Sequence, residues 1–554
     1  MRLCLVVCVL TWSCCVISSA ESKVPPVIAH WKLAGDARDA GTHALHGKNQ
    51  GVQFELAKPG PLHPVGVFGG RQESIVVPHA PELKLGTGDF SISLWVHTDK
   101  LLDDDLGDLL SKFDPVTRTG FHLTLRNNTG ATNSLANWRQ LQFGIDQHTE
   151  PVWTDAGRPG QSIFGFSMAV QDGALFVGTC EADPGRAGSV YRYAGPSKWI
   201  DLKLPNQANS VSSLAVFDGK LYAGTAKYRL KGSALAESEN PNLGGQIFRL
   251  DGADQWTPCG HFPEAEGIGG MTVYKGRLYA SSLYKPAGFF RYEEDGKWTS
   301  LAPPDGKRTE SMGVHNGYLW ATSYDNGNIY RYDGETWADL GLTGDSTQNY
   351  SFAEYQGQLY VGTWPSGKVY RLNSQDKWED WGRLGMELEV MGMLNHNGKL
   401  YAGTLPLAEV YRLDGDREWA RLRQLDPTDT KYRRVWTVAQ FAGQAYWSTL
   451  PTGHIFAMET GKCVTYDREL PAGWRHLAAV KSGGVLRLFV DGKRVAESTP
   501  FDPAALNLAN DQPLRIGAGT GANFKGQLSN LRLFGQSLTD ADIAVLAAEQ
   551  QSGD

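Results

Sequence analysis

One short phrase recurs seven times in the middle of this 554-residue chain. It reads Leu175-Phe176-Val177-Gly178-Thr179, Leu221-Tyr222-Ala223-Gly224-Thr225, Leu278-Tyr279-Ala280-Ser281-Ser282 and Leu319-Trp320-Ala321-Thr322-Ser323. It returns as Leu359-Tyr360-Val361-Gly362-Thr363, Leu400-Tyr401-Ala402-Gly403-Thr404 and Ala445-Tyr446-Trp447-Ser448-Thr449. The aromatic second positions (176, 222, 279, 320, 360, 401, 446) are separated by 46, 57, 41, 40, 41 and 45 residues. Each phrase follows an apolar run and a glycine turn: Asp172-Gly173, Asp218-Gly219, Lys275-Gly276, Asn316-Gly317, Gln356-Gly357, Asn397-Gly398 and Ala442-Gly443. Short strands and glycine turns at this period are the signature of a β-propeller, here with seven blades.

Each repeat reads as four strands. The third is Val190-Tyr191-Arg192-Tyr193 and its copies, and the fourth carries Trp199, Trp256, Trp298, Trp337, Trp378 or Trp419. The seventh repeat lacks that last strand. A matching phrase, Val152-Trp153-Thr154-Asp155-Ala156-Gly157, lies upstream of the first repeat. It is expected to be the outer strand of the last blade, closing the ring and removing its open edges. The repeated Arg192, Arg249, Arg291, Arg331, Arg371 and Arg412 read as a structural device, because one residue at one strand position in six blades has one job.

Charge and compartment narrow the function. The net charge of −7 offers no basic excess for nucleic acid. Residues 1–20 combine one arginine, an apolar run and Ser18-Ser19-Ala20, the pattern of a cleaved signal peptide. The expected location is secreted, periplasmic or cell surface, with no transmembrane segment. Cys180, Cys259 and Cys463 are too few and too far apart for a disulfide framework or zinc site.

Strand-like runs flank the repeats: Asp89-Phe90-Ser91-Ile92-Ser93-Leu94-Trp95-Val96 and Leu141-Gln142-Phe143-Gly144-Ile145 before, Gly473-Trp474-Arg475-His476-Leu477-Ala478-Ala479-Val480 and Leu486-Arg487-Leu488-Phe489-Val490-Asp491-Gly492 after. Phe524 to Phe534 follows, then Ser537-Leu538-Thr539-Asp540 opens a helix. Together these motifs resemble the laminin-G-like, concanavalin-A-like jelly-roll family over about 25–150 and 462–546. The expected fold class is therefore all-β: a jelly-roll sandwich (21–150 and 460–550) split by an inserted seven-bladed propeller (151–459). The resemblance implies a partner that is a glycan or an extracellular protein, sometimes with calcium. Asp39, in Gly35-Asp36-Ala37-Arg38-Asp39, is the residue the resemblance implies as a calcium ligand; an Asx turn is the alternative.

No phosphate loop, His-Glu-x-x-His or Gly-x-Ser-x-Gly is present. Function is sought instead at one propeller mouth, in loops joining strands two and three and successive blades. The blade-two loop from Ala226 to Gly244 is the longest and carries Tyr228, Arg229, Lys231, Glu237 and Glu239. The same mouth is expected to hold Tyr284, Tyr324 and Trp364, with Glu310, Asn349, Tyr350, Glu387, Glu389, Arg433, Arg434 and Trp436 between blades. Aromatic faces suit sugars, and Arg and Glu suit hydroxyls or acidic groups. Glu310 and Glu389 form a candidate acid–base pair for glycoside cleavage. Three readings stay open: a glycan- or protein-binding protein, a carbohydrate-active hydrolase or lyase, and a structural cell-surface protein. The oligomeric state is left open.

Overall fold

The computed structural model describes residues 24–56, 64–101, 105–126 and 139–549. The expected signal at 1–20 lies outside them. The described residues are almost wholly β, with one α-helix, Asp540–Ala548, capped by Thr539: its Oγ1 accepts from Asp542 N at 3.2 Å, and Asp542 Oδ2 accepts from Thr539 N at 2.9 Å. No helix among the described residues is long and apolar enough to cross a membrane.

Seven four-stranded antiparallel blades occupy the middle of the described chain. Blade one is Phe164–Gln171, Ala174–Cys180, Val190–Tyr193 and Trp199–Asp201. Blade seven is Arg434–Phe441, Gln444–Leu450 and Ile455–Glu459, with Val152–Asp155 as its outer strand. Trp153 pairs with Met458 and Asp155 with Phe456. The ring thus closes on a strand from upstream of the first repeat.

The hairpin between strands one and two has left-handed backbone at both turn residues in every blade. Asp172 and Gly173 have φ of 51° and 80°; Ala442 and Gly443 have 48° and 73°. This double positive φ is the type I′ turn, whose twist matches that of the flanking strands, and glycine makes its second position cheap. Five of the six fourth-strand tryptophans, all but Trp378, stitch their blade to the one before. Trp256 Nε1 donates to Leu202 O at 2.9 Å, Trp298 Nε1 to Cys259 O at 2.7 Å, Trp337 Nε1 to Ala302 O at 3.0 Å and Trp419 Nε1 to Trp381 O at 3.0 Å. Trp199 Nε1 makes the same bond to Ala156 O at 3.0 Å, just past the borrowed strand, so the closing joint repeats the others. The recurring arginines are structural too. Arg249 pairs with Asp251 at 2.8 Å, and Arg371 stacks 3.6 Å from the centroid of Trp381.

The flanking segments form two packed sheets, each mixing strands from both sides of the propeller. Gly473–Ser482 pairs with Phe90–Thr98 in unbroken register from Gly473↔Thr98 to Lys481↔Phe90. Lys462–Tyr466 pairs with Gln140–Gln147. Alternate residues of a strand face opposite sides. Leu141, Phe143 and Ile145 enter the sandwich core, while Gln140, Gln142 and Asp146 point outward.

That outward face does not meet water. It docks on the strand-one-to-two turns of the propeller, and its polar groups are buried there. Gln440 Nε2 donates to Gln142 Oε1 at 2.8 Å, and His396 Nδ1 donates to Gln440 Oε1 at 2.7 Å. Asn397 Nδ2 reaches Ile145 O at 3.1 Å, and Gly357 N donates to Gly521 O at 2.8 Å. Lys399 and Asp146 form an ion pair with side chains no more than 1% exposed. A second pair set, Arg118 with Asp414 at 3.1 Å and with Glu150 at 3.0 Å, lies beside it. The sandwich is thus fixed to the propeller face opposite the mouth. Cys180, Cys259 and Cys463 are free and buried, and burial pushes their thiols up.

Asp39 is committed to its own loop. Its Oδ1 accepts from His30 N and Gly41 N, both at 2.7 Å, and its Oδ2 accepts from Leu45 N at 2.9 Å. Three backbone N–H groups thus hold the Asp39 carboxylate in an Asx-type turn of its own loop. Among the described residues no group of three or more His, Cys, Asp or Glu is arranged to hold a metal.

Candidate functional site

The blade-two loop turns the symmetric mouth into a one-sided cavity. Tyr228 enters from the end of Lys220–Ala226, held by Asn209, whose side chain bonds both its N–H (2.7 Å) and its carbonyl (3.0 Å). A single 3-10 turn, Leu230–Ser233, follows and ends on Ala234 in the left-handed region. Glu237 Oε1 accepts from Leu230 N at 3.0 Å and Ser238 N at 3.1 Å, and Asn240 Nδ2 donates to Gln207 O at 2.9 Å. The loop is therefore a tied-down wall. It lies over an aromatic cluster in which Tyr228 meets Phe164, Phe166 and Trp436 at 5.3, 5.2 and 5.6 Å between centroids, each pair edge-on. Arg434 latches it from blade seven, donating to Ser233 Oγ and to Gly232 O at 3.3 Å.

A cavity of about 670 Å³ remains between this wall and blades three to seven. Tyr228, Arg229, Tyr284, Glu310, Tyr324, Tyr350, Trp364, Glu389, Arg434 and Trp436 all line it. Lys231 and Glu237 line it too, so twelve of the candidates come to one place. Three of the between-blade candidates do not line it. Asn349 is buried as a loop tie: its Oδ1 accepts from Thr343 Oγ1 and its Nδ2 donates to Gly327 O, both at 2.7 Å. Arg433 turns to backbone carbonyls, donating to Thr428 O and Pro406 O. Glu387 also turns away, its Oε2 accepting from Leu407 N at 3.2 Å. Arg308, Gln348 and Tyr432 line the cavity and were not anticipated.

One wall is a row of cations on rings. Arg229 lies 5.0 Å from the Tyr284 centroid and Arg308 4.9 Å from that of Tyr324, and the two tyrosines meet edge to face at 6.1 Å. Each arginine is also neutralised outside the cavity. Arg229 bonds Glu266, and Arg308 Nε bonds both oxygens of Asp325 at 2.9 and 3.1 Å. At the deep end Arg434 Nη2 lies 3.8 Å from Glu389 Oε2, both side chains buried. Burial pushes the Glu389 carboxyl up, against the pull of Arg434 and Tyr350. Burial also raises the phenols of Tyr228, Tyr284, Tyr324 and Tyr350, so all four stay neutral hydroxyls at ordinary pH. Tyr350 Oη donates to Gln348 Oε1. The arrangement offers flat apolar faces, fixed hydroxyls and one buried charge pair, the ingredients of a small-molecule pocket.

Residues 419–544 match Laminin_G_3, the concanavalin A-like lectin/glucanases superfamily. Within that span Lys462–Tyr466 through Lys525–Phe534 are sandwich strands, and the part before Lys462 lies in blades six and seven. No curated protein matches the chain. Among solved structures, virginiamycin B lyase from Staphylococcus aureus is similar at 12% identity and TM-score 0.43, covering 56% of this chain and 99% of its own. A catalytically inactive form of that enzyme with quinupristin gives 14% and 0.44 over the same shares. The WD40 β-propeller domain of Doa1 gives 10% and 0.34 over 66% of this chain and 96% of its own.

Proposed function

We propose that this is an exported protein that binds carbohydrate in the mouth of its propeller. The observation that carries the reading is the make-up of one cavity: Tyr284, Tyr324, Trp364 and Trp436 share it with Glu310 and the Glu389–Arg434 pair. A sugar ring has an apolar C–H face and a rim of hydroxyls. Aromatic faces suit the first, and a neighbouring carboxylate and guanidinium suit the second. A recessed cavity also fits a small ligand or chain end better than the broad surface of a protein partner. The sandwich serves as the mount, since one of its sheet faces is spent on the propeller.

Glycan-array binding of the wild type beside Trp364→Ala tests this. The variant removes one half-exposed ring from the cavity wall. Saccharide hits weakened about tenfold or more are expected. An array with no saccharide hit, or hits indifferent to the change, would contradict the reading.

A second reading, carbohydrate cleavage at the same site, is favoured by one observation. Glu389 and Glu310 are two carboxyl side chains lining one cavity, and glycoside cleavage is carried by two carboxyls. Its expected mark is product release from a bound saccharide that Glu389→Gln abolishes while binding persists. A bound saccharide that stays whole leaves a binding site alone.

A further inference from the structure

We infer that the cavity selects an uncharged, hydroxyl-rich sugar unit and rejects the same unit carrying a carboxylate. The inference rests on the carbohydrate reading above and names its ligand class. It starts from which charges the cavity keeps for itself. Arg229 and Arg308 are cancelled by Glu266 and Asp325, which lie outside it. Lys231 stands exposed on the rim. At the deep end the one guanidinium, Arg434, lies 3.8 Å from the buried carboxyl of Glu389, and a second buried carboxyl side chain, Glu310, lines the same cavity. A carboxylate entering there meets a field with no cationic surplus, in surroundings where charges are poorly screened.

The hydrogen-bonding groups point the same way. Arg434 Nε and Trp436 Nε1 are buried donors without a partner among the described residues. A buried donor left unmet is costly, so a ligand that supplies acceptors is favoured. Glu389, beside them, needs the opposite: a ligand that donates. A hydroxyl does both, because it carries one proton and two lone pairs. A carboxylate brings only lone pairs. Neighbouring hydroxyls therefore meet the donors and the carboxyl together, and a carboxylate set beside Glu389 cannot.

Titration calorimetry of glucose, galactose and mannose against glucuronate, galacturonate and mannuronate at pH 7 tests this, since each pair differs only at C6. For the sugar that binds best, the neutral form is expected to be preferred by at least about tenfold, the scale of one unscreened like-charge contact. Glu389→Gln removes one carboxyl and is expected to narrow that preference; Glu310→Gln makes the same test should the first variant not fold. A preference that is smaller or reversed, or one unchanged in a folded variant, overturns the inference and leaves carbohydrate binding standing. Failure of all six sugars to bind overturns both.

Discussion

Lys399→Met probes the joint between propeller and sandwich. Lys399 sits in blade six and its ammonium contacts Asp146 at the end of the sandwich strand Gln140–Gln147. It also donates to Thr460 Oγ1 at 3.0 Å. Methionine keeps the stem and removes the charge. The Asp146 carboxylate then stays buried with two backbone donors, Gln147 N at 2.8 Å and Thr149 N at 3.1 Å. Breaking a buried pair from one side costs about 3–5 kcal/mol, because the surviving charge loses its partner without regaining water. Adding Asp146→Asn removes that charge while the amide oxygen still accepts from Gln147 and Thr149. The double variant is therefore expected to recover about half or more of the loss, an interaction energy on the order of 2 kcal/mol. Urea unfolding followed by tryptophan fluorescence at pH 7 reads all three proteins. Exposed Lys198→Met is the control and should stay within about 0.5 kcal/mol of wild type. A Lys399→Met protein that matches this control, or a double variant that loses the sum of both single losses, refutes the argument that this pair locks the two bodies.

Three other outcomes follow from the same interfaces. Asp467 accepts from Gln140 Nε2 at 2.7 Å and Ala442 N at 2.8 Å, and burial pushes its carboxyl up to about 6. The native state holds that proton longer than the unfolded chain, so this contribution is full below about pH 4 and is lost as pH rises through about 6; stability measured against Asp467→Asn should fall by up to about 3 kcal/mol across that window and level off above it. His122 and His396, buried in the same joint, are lowered to about 3 by burial. Their contribution is present above about pH 6.5 and is lost as pH falls toward 3, so His396→Gln should flatten the acid side of the urea-midpoint profile. Ala156 N donates to Ile455 O at 2.8 Å at the closing strand. Ala156→Pro removes that donor and is expected to lower the melting temperature by several degrees, an effect on the order of 2 kcal/mol; an unchanged melt would mean that ring closure does not depend on this ladder.

Repetition made the propeller readable. Seven glycine turns and a stray Trp153 phrase announce blades and a borrowed strand, because each repeat must solve the same folding problem. The split sandwich was readable from alternating strands for the same reason. The mouth was only half readable, and strand geometry says why. Asn349 and Tyr350 are neighbours, as are Arg433 and Arg434, yet side chains alternate across a strand, so only one of each pair enters the cavity. The missed residues stand two places away: Arg308 beside Glu310, Gln348 beside Tyr350, Tyr432 beside Arg434. A period-two rule applied to the candidates would have exchanged the wrong ones for the right ones. The docking face was not readable at all. Gln140, Gln142, His122 and Asp146 look like a solvated polar face, and only the fold reveals that another polar face covers them.

A crystal of the full chain soaked with whichever saccharide binds best in solution puts the central claim to the sharpest test. The account predicts a sugar ring in the mouth, within hydrogen-bonding distance of Arg434 and against Trp364 or Trp436. A ring seated on the sandwich while the mouth holds only solvent would contradict it.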